Sequence, residues 1–546
     1  MTTSLTIAEH AAHLIPRLKR DRRIPVWPAD VFGVCAALLV HSGSYCNVLN
    51  WWPPRKYHSK NDPELWARRA QRWGRSWRRS WVQRRQAPAR IAGLWRSVMQ
   101  AGATPIQYLG RNPVLSQQFM ELCGIADEAC EGVGSPLGGD ESEIDEQFLY
   151  HASSLLLRKL PGSSVCQEID TSRLRVLPKM HTPQNGLTIR SLSLYVCLCT
   201  PGEVAPEWIE PHHPLEDNGL NLLVVPWPAE VFPAQFQAAE PLRGEVKNMP
   251  PHYGLFTFEH REAGPITEHI KPLYEAAQTE VGRVDGVVLP EMALSETEHD
   301  ELCGYLLDQG SFLVSGVGRK SEAPRSRGQN MVCLDLPFTE PARQRKHHRW
   351  KLESSQISQY GLGSLLDPEI EWWEHIDLED RCFLFAPIRR DMLLSVLICE
   401  DLARPDPVGD LVRAVGPNLV IALLMDGPQL KSRWAARYAT TLADDPGCSV
   451  LSVTSLGMST LSRPRSGENR SRVVALWKDA KSSETQEIEL TPGAGAVVLS
   501  LSMRHVAEWS ADGRTDGGAA VYPVLSGVRC VGGKSDVVRS AGLAVS

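Results

Sequence analysis

Apolar residues recur at two different periods along this chain, and the change between them divides it. From Pro28 to about residue 125 the pattern is helical. Pro28 and Asp30 suit a helix start, and VFGVCAALLV behind them has the continuous apolar character of a buried helix. Over 66–85, Trp66, Trp73, Trp77 and Trp81 recur at steps of seven, four and four. That spacing puts them on one face of a helix, with arginines on the others. From about Tyr253 short apolar runs alternate with helical stretches: GLFTFEH, a helix over 270–281, GVVLP, a helix after Ser295, then SFLVSGVG. Later strands are predicted at NMVCLDLP, FLFAPI, LLSVLIC, LVIALLM and SVLSVTS, with helices at Gly409–Val415 and 429–443. This alternation predicts an α/β architecture.

At 546 residues and 42% hydrophobic content the chain exceeds the roughly 250–300 residues at which one core stops growing, so at least two domains are expected. The predicted division is a mainly helical accessory domain over 1–134, then an acidic linker and connecting segment over 135–186, opening with SPLGGDESEIDE. A β annex or the start of the catalytic domain follows over 187–249, where LTIRSLSLYVCLC and LNLLVVPW read as strands. The α/β domain spans 250–505, and 506–546 reads as a Gly/Ser-rich C-terminal tail.

A net charge of −6 excludes an overall attraction to nucleic acid or to an anionic membrane, so any such binding needs a local patch. One candidate exists: residues 51–100 carry 13 Lys and Arg against two acids. Either the Trp-Arg helix is a nucleic-acid surface, or its indoles are core and its arginines a solvated face. The second reading is preferred, because residues 121–146 supply nine acids and no bases, a run able to pair with the helix inside the molecule. Thirteen cysteines at irregular spacing read as reduced thiols. Cys197 and Cys199 alternate onto one face of a strand without a second pair, and read as core thiols rather than a zinc site. No metal and no cofactor is therefore expected. The N-terminus lacks the apolar core of a signal peptide, and apolar stretches such as 31–40 are shorter than the roughly 20 residues of a membrane span. A cytoplasmic protein without a membrane partner is the expectation.

Three places put reactive or charged residues at strand ends or in short loops, where active sites on α/β scaffolds sit. In VDGVVLPEMAL a strand over 287–289 runs into Pro290, which stops it, and Glu291 follows at its end. Such a carboxylate is fixed and half desolvated, which raises its pKa toward that of a general base. In LLSVLICEDLARPDP the strand delivers Cys399 into Glu400 and Asp401, and a thiol on a strand-to-helix turn can be presented to a substrate. The third place is RQRKHHRWKLE, by itself an ordinary basic loop. LADDPG and SGVGRKSEAPRSRG carry neither a polymerase palm nor a phosphate loop.

Taken together, LPE at Glu291, RKHH at Lys346 and LICED at Cys399 resemble the Glu-Lys-Cys triad of the nitrilase superfamily of carbon–nitrogen hydrolases, supported by QNMVCLDLP and NLVIALLMDGP. The resemblance covers roughly 250–505 and implies a nitrilase-like four-layer αββα sandwich. It implies hydrolysis of a small amide or nitrile through a covalent Cys399 intermediate, with Glu291 as base and Lys346 stabilising the oxyanion. Lys351, in HRWKLE, is the competing lysine; Lys346 follows Asn330 by 16 residues and leaves Glu353 seven residues on as the family's second glutamate. A homo-oligomer is implied as well. The segment between the lysine and the cysteine is longer than in the family, and its Trp372 and Trp373 either line the pocket or pack in the core. ICEDLARPDP, ALLMDGPQLKSRWAARY and LADDPG further resemble nitrilase-like domains attached to bacterial anti-phage reverse transcriptases. That likeness implies a role in antiviral defence with a separate reverse transcriptase or nucleic-acid partner. The alternative to an amidase is a regulatory or nucleic-acid-associated protein that uses the domain for binding without turnover.

Overall fold

The computed structural model describes residues 5–52, 62–134, 142–157, 163–184, 186–210, 219–239, 250–261, 264–319, 327–462, 470–514 and 520–532. The acidic stretch 135–141, the centre of the glycine-rich basic segment (320–326) and the last residues, 533–546, lie outside these.

The first part is helical, with Pro28–Ser42, Asp62–Arg84, Ala89–Gln100 and Pro113–Ala129 as its main elements. Pro28 sits in the first turn, where its missing N–H costs nothing, and Gly43 ends the helix at φ 67. This helix is buried from Pro28 to Leu39, as the unbroken apolar run requires. No single helix among the described residues is long and apolar enough to cross a membrane. On Asp62–Arg84, Trp66, Trp77 and Trp81 are buried, so the indole stripe is core, with Trp27, Trp81 and Phe148 in mutual ring contact. Arg78 Nη1 donates to Asp145 at 2.9 Å, one link between the basic helix and the acidic run.

Asp145 belongs to helix Glu143–Leu156, which lies inside the segment expected to be a linker. Its acids cluster in the first turn, behind the Ser142 cap, and its apolar residues Phe148, Leu149, Ala152 and Leu155 are buried. Acidic composition concealed an amphipathic helix whose charges favour its N-terminus.

Two seven-stranded sheets form the second part. One has the spatial order Ala342–Arg345, Gln329–Asp335, Phe312–Arg319, Gly286–Leu294, Leu220–Val224, Ala496–Val506, Ala520–Val531. The other runs Gln486–Glu489, Val473–Lys478, Ser449–Thr454, Leu419–Leu424, Met392–Ile398, Cys382–Arg389, Ala205–Trp208. The two sheets pack against each other, and the strands of the first show why: Val288, Val314, Val332, Leu222 and Val497 join the core shared with the second sheet. Their neighbours Leu289, Leu313, Cys333, Leu223 and Val498 join a separate core under helices Ile266–Val281 and Glu296–Asp308. Successive residues point to opposite faces, so a strand covered on both sides is apolar throughout. Helix Trp434–Asp444 packs on the second sheet, which gives helix, sheet, sheet, helix in layers.

Of 187–249, strands Ala205–Trp208 and Leu220–Val224 enter the two large sheets, while LTIRSLSLYVCLC yields only the short strand Val196–Cys199 behind a 3-10 turn. The supposed tail contains strand Ala520–Val531, paired with Ala496–Val506 along its whole length. A four-stranded sheet, Lys351–Leu352, Glu371–Glu374, Tyr253–Phe258 and Phe236–Ala239, has its own core of Phe236, Phe256, Trp350, Tyr360 and Trp372. Met292 and Met425 share that core, so it packs directly beside the two residues that follow Glu291 and Leu424 in the chain.

Candidate active site

Glu291 is carried by strand Gly286–Leu294 at a break in its pairing with Phe312–Arg319, where the register slips between Leu289 and Leu294. The backbone rises there, with Met292 at φ 54. Gly316 opposite is required, because a Cβ on it would lie 2.3 Å from the Pro290 carbonyl and 2.5 Å from the Glu291 Cα. Lys346 follows the edge strand Ala342–Arg345, and its N–H donates to the Asn330 carbonyl at 2.9 Å. Cys399 ends strand Met392–Ile398 and precedes the short helix Glu400–Ala403 at φ 46 and ψ −108. Such a conformation costs a β-carbon-bearing residue about 1–3 kcal/mol and persists only where the surroundings enforce it.

The side chains are buried together. Lys346, with no exposed surface, donates from Nζ to Glu291 Oε1 at 2.8 Å and to Glu374 Oε2 at 2.7 Å. Asn330 Nδ2 donates to the same two carboxylates, at 2.7 Å to Glu291 and 2.8 Å to Glu374. The Met425 N–H donates to the other Glu291 oxygen at 2.6 Å, and the Trp350 N–H to Glu374 at 3.0 Å. Cys399 is buried within electrostatic range of both Glu291 and Lys346.

Burial and these neighbours set the protonation states. Burial drives Glu291 upward; the Lys346 charge opposes it, the Glu374 carboxylate reinforces it, and the net shift is up. Burial lowers the Lys346 pKa, but Glu291, Glu374 and Cys399 override it and hold the ammonium well above its usual pKa. Burial, then Glu291, pushes the Cys399 thiol up, against Lys346. A neutral thiol, a basic carboxylate and a fixed cation thus face one another.

Of the residues singled out in the sequence, the structure brings Glu291, Lys346 and Cys399 together. Glu353 is not there. It caps helix Ser354–Tyr360 at the surface and pairs with Lys351 at 3.2 Å. Lys351 pairs with Glu371 as well, at 3.1 Å. The second glutamate at the site is Glu374, on the four-stranded sheet, and only its sequence position between lysine and cysteine hinted at it. Trp372 packs on Gly254 in the core of that sheet, which answers the pocket-or-core alternative for this residue. Asp401 was also missed: its carboxylate accepts from the His347 N–H at 3.1 Å and lies 2.9 Å from His348 Nδ1. It ties the lysine loop to the turn behind Cys399. Cys197 and Cys199 are buried, unpaired thiols with raised pKa values from burial.

No protein-family profile matches the chain, and no curated protein does. Among solved structures it is similar to an amidase from Nesterenkonia sp., with 13% identity and TM-score 0.32 over 53% of this chain and 92% of that one. It is similar to Nit3 of Saccharomyces cerevisiae, a member of branch 10 of the nitrilase superfamily, at 10% identity and TM-score 0.31, covering 60% and 96%. A CN-hydrolase superfamily protein of Xanthomonas campestris with an arsenic adduct in its active site gives 13%, TM-score 0.26, and 60% and 95%.

Proposed function

We propose that the chain is a carbon–nitrogen hydrolase of the nitrilase type, an amidase-class enzyme acting on a small amide or nitrile. The observation that carries this reading is the buried Lys346 ammonium, held by the two carboxylates Glu291 and Glu374 beside a cysteine in a strained strand-end turn. For an amide, Glu291 takes the Cys399 proton as Sγ bonds to the carbonyl carbon, and negative charge moves onto the carbonyl oxygen. Lys346 offsets that charge in a buried site, the term that usually dominates acyl transfer. Protonated Glu291 then passes its proton to the departing nitrogen, the C–N bond breaks, and a thioester remains on Cys399. Water adds to the thioester, losing a proton to Glu291, and the acid leaves as the Cys399 thiol is restored. The raised pKa of Glu291 makes it a stronger base than an ordinary carboxylate. Glu374 and Asn330 hold the lysine and the base in place. Incubation with a panel of small amides and nitriles plus hydroxylamine tests the reading. Hydroxamate is expected from at least one amide with the parent and not with Cys399→Ala; equal yields from both would contradict it.

A further inference from the structure

Charge is divided unevenly along this chain. Residues 1–134 carry 19 Lys and Arg against 9 Asp and Glu, and the remainder 39 against 55. The net charge of −6 therefore hides a strongly positive region. Part of that charge is gathered in a cleft of about 1,090 Å³, lined by Arg17, Arg20, Arg22, Arg23, Arg85 and Arg96. Its acids are Asp21 and Glu168, and each is already engaged, Glu168 by Arg17 at 2.8 Å and Asp21 by Arg23 at 2.7 Å. Among the described residues, Arg20, Arg22, Arg85 and Arg96 pair with no carboxylate, and all four are exposed. Arg85 lies over the Trp81 ring at 3.7 Å, which fixes where its guanidinium points.

We propose that this cleft binds the phosphodiester backbone of a nucleic-acid strand. Guanidinium forks match phosphate oxygens bidentately, and four uncompensated forks around one concavity suit a chain of phosphates. The nearby indoles Trp77, Trp81 and Trp95 are buried, so bases cannot stack on them and recognition is independent of sequence. An anionic membrane would instead favour a flat basic face with exposed apolar anchors; here Ile24 and Val26 are partly covered and Trp95 is buried.

The test is fluorescence anisotropy with the full chain and labelled single-stranded DNA and RNA of about 20 nucleotides, across a salt series. Each phosphate contact adds roughly −0.7 to the log–log salt slope of a single strand, so Arg20/Arg22/Arg85/Arg96→Gln should flatten it by about three and weaken low-salt binding at least about tenfold. Arg22/Arg96→Gln, which leaves the Arg85–Trp81 contact intact, should lose about half of that slope. A control set of exposed arginines outside the cleft, Arg437/Arg504/Arg529→Gln, should bind like the parent. The proposal is overturned if the parent binds neither strand at low salt, or if the cleft variants keep the parent's slope. It is overturned equally if phosphatidylserine vesicles bind the cleft while the oligonucleotides fail to.

Discussion

Lys346 lies between two carboxylates, and the effect of one on the other sets how the site should respond to pH. Glu291 must be ionised to accept the Cys399 proton, and both burial and the Glu374 charge raise its pKa. The acid limb of kcat/KM therefore lies above the ordinary glutamate value of about 4.3. Replacing Glu374 by Gln removes one negative neighbour, so the Glu291 pKa falls and the limb moves to lower pH, with kcat reduced because Lys346 loses an anchor. Glu353→Gln and Lys351→Met, both at the surface pair, should leave limb and rate unchanged. A pH–rate profile with a limb unmoved by Glu374→Gln, or moved by Glu353→Gln, would contradict these roles. What could be read from the sequence follows the same geometry. Glu291 and Cys399 announce themselves because each follows an apolar run, and Lys346 because it stands in a short motif. Glu374 and Asp401 do not, since their roles depend on which strands and loops meet, and that is set by contacts distant in sequence.

Among the elements, the break in strand Gly286–Leu294 positions Glu291, and Gly316 on the adjacent strand permits it. Gly316→Ala forces a β-carbon against the Pro290 carbonyl, an overpacking expected to cost about 1–3 kcal/mol and to misplace the base. Urea unfolding should show the loss of stability, and activity should fall beyond what stability explains; a variant with the parent's stability and rate would show that the approach is not tight. Strands buried on both faces, such as Met392–Ile398, Leu419–Leu424 and Ser449–Thr454, were legible as continuous apolar runs. Helix Glu143–Leu156 was hidden by its acids, and strand Ala520–Val531 by glycine, serine and arginine on its partly exposed face. Both lie where composition suggested linker or tail, and in both the buried half of the pattern carries the structure.

At the scale of the whole molecule, Arg514 joins the helical part to the C-terminal segment. Fully buried, it donates to Asp127 and Glu128 of helix Pro113–Ala129 at 2.8 and 2.7 Å, and to Asp512 at 2.7 Å. Arg514→Met would leave these carboxylates buried without their cation, at an expected cost of about 3–5 kcal/mol in denaturant unfolding; a loss below about 1 kcal/mol would mean the cluster is hydrated. We propose a homo-oligomer with closed symmetry: light scattering should give a multiple of the 60.5 kDa chain, and a monomer at all concentrations would count against it. Covalent catalysis by Cys399 is tested by the intact mass of the parent protein, acid-quenched within the first turnovers of an amide that it hydrolyses. An acyl-enzyme should appear as a mass increase equal to the acyl group, mapped to Cys399 by peptide digestion and missing from Cys399→Ala. An adduct mapped to another residue, or Cys399→Ala still turning over that amide, would contradict a covalent Cys399 intermediate.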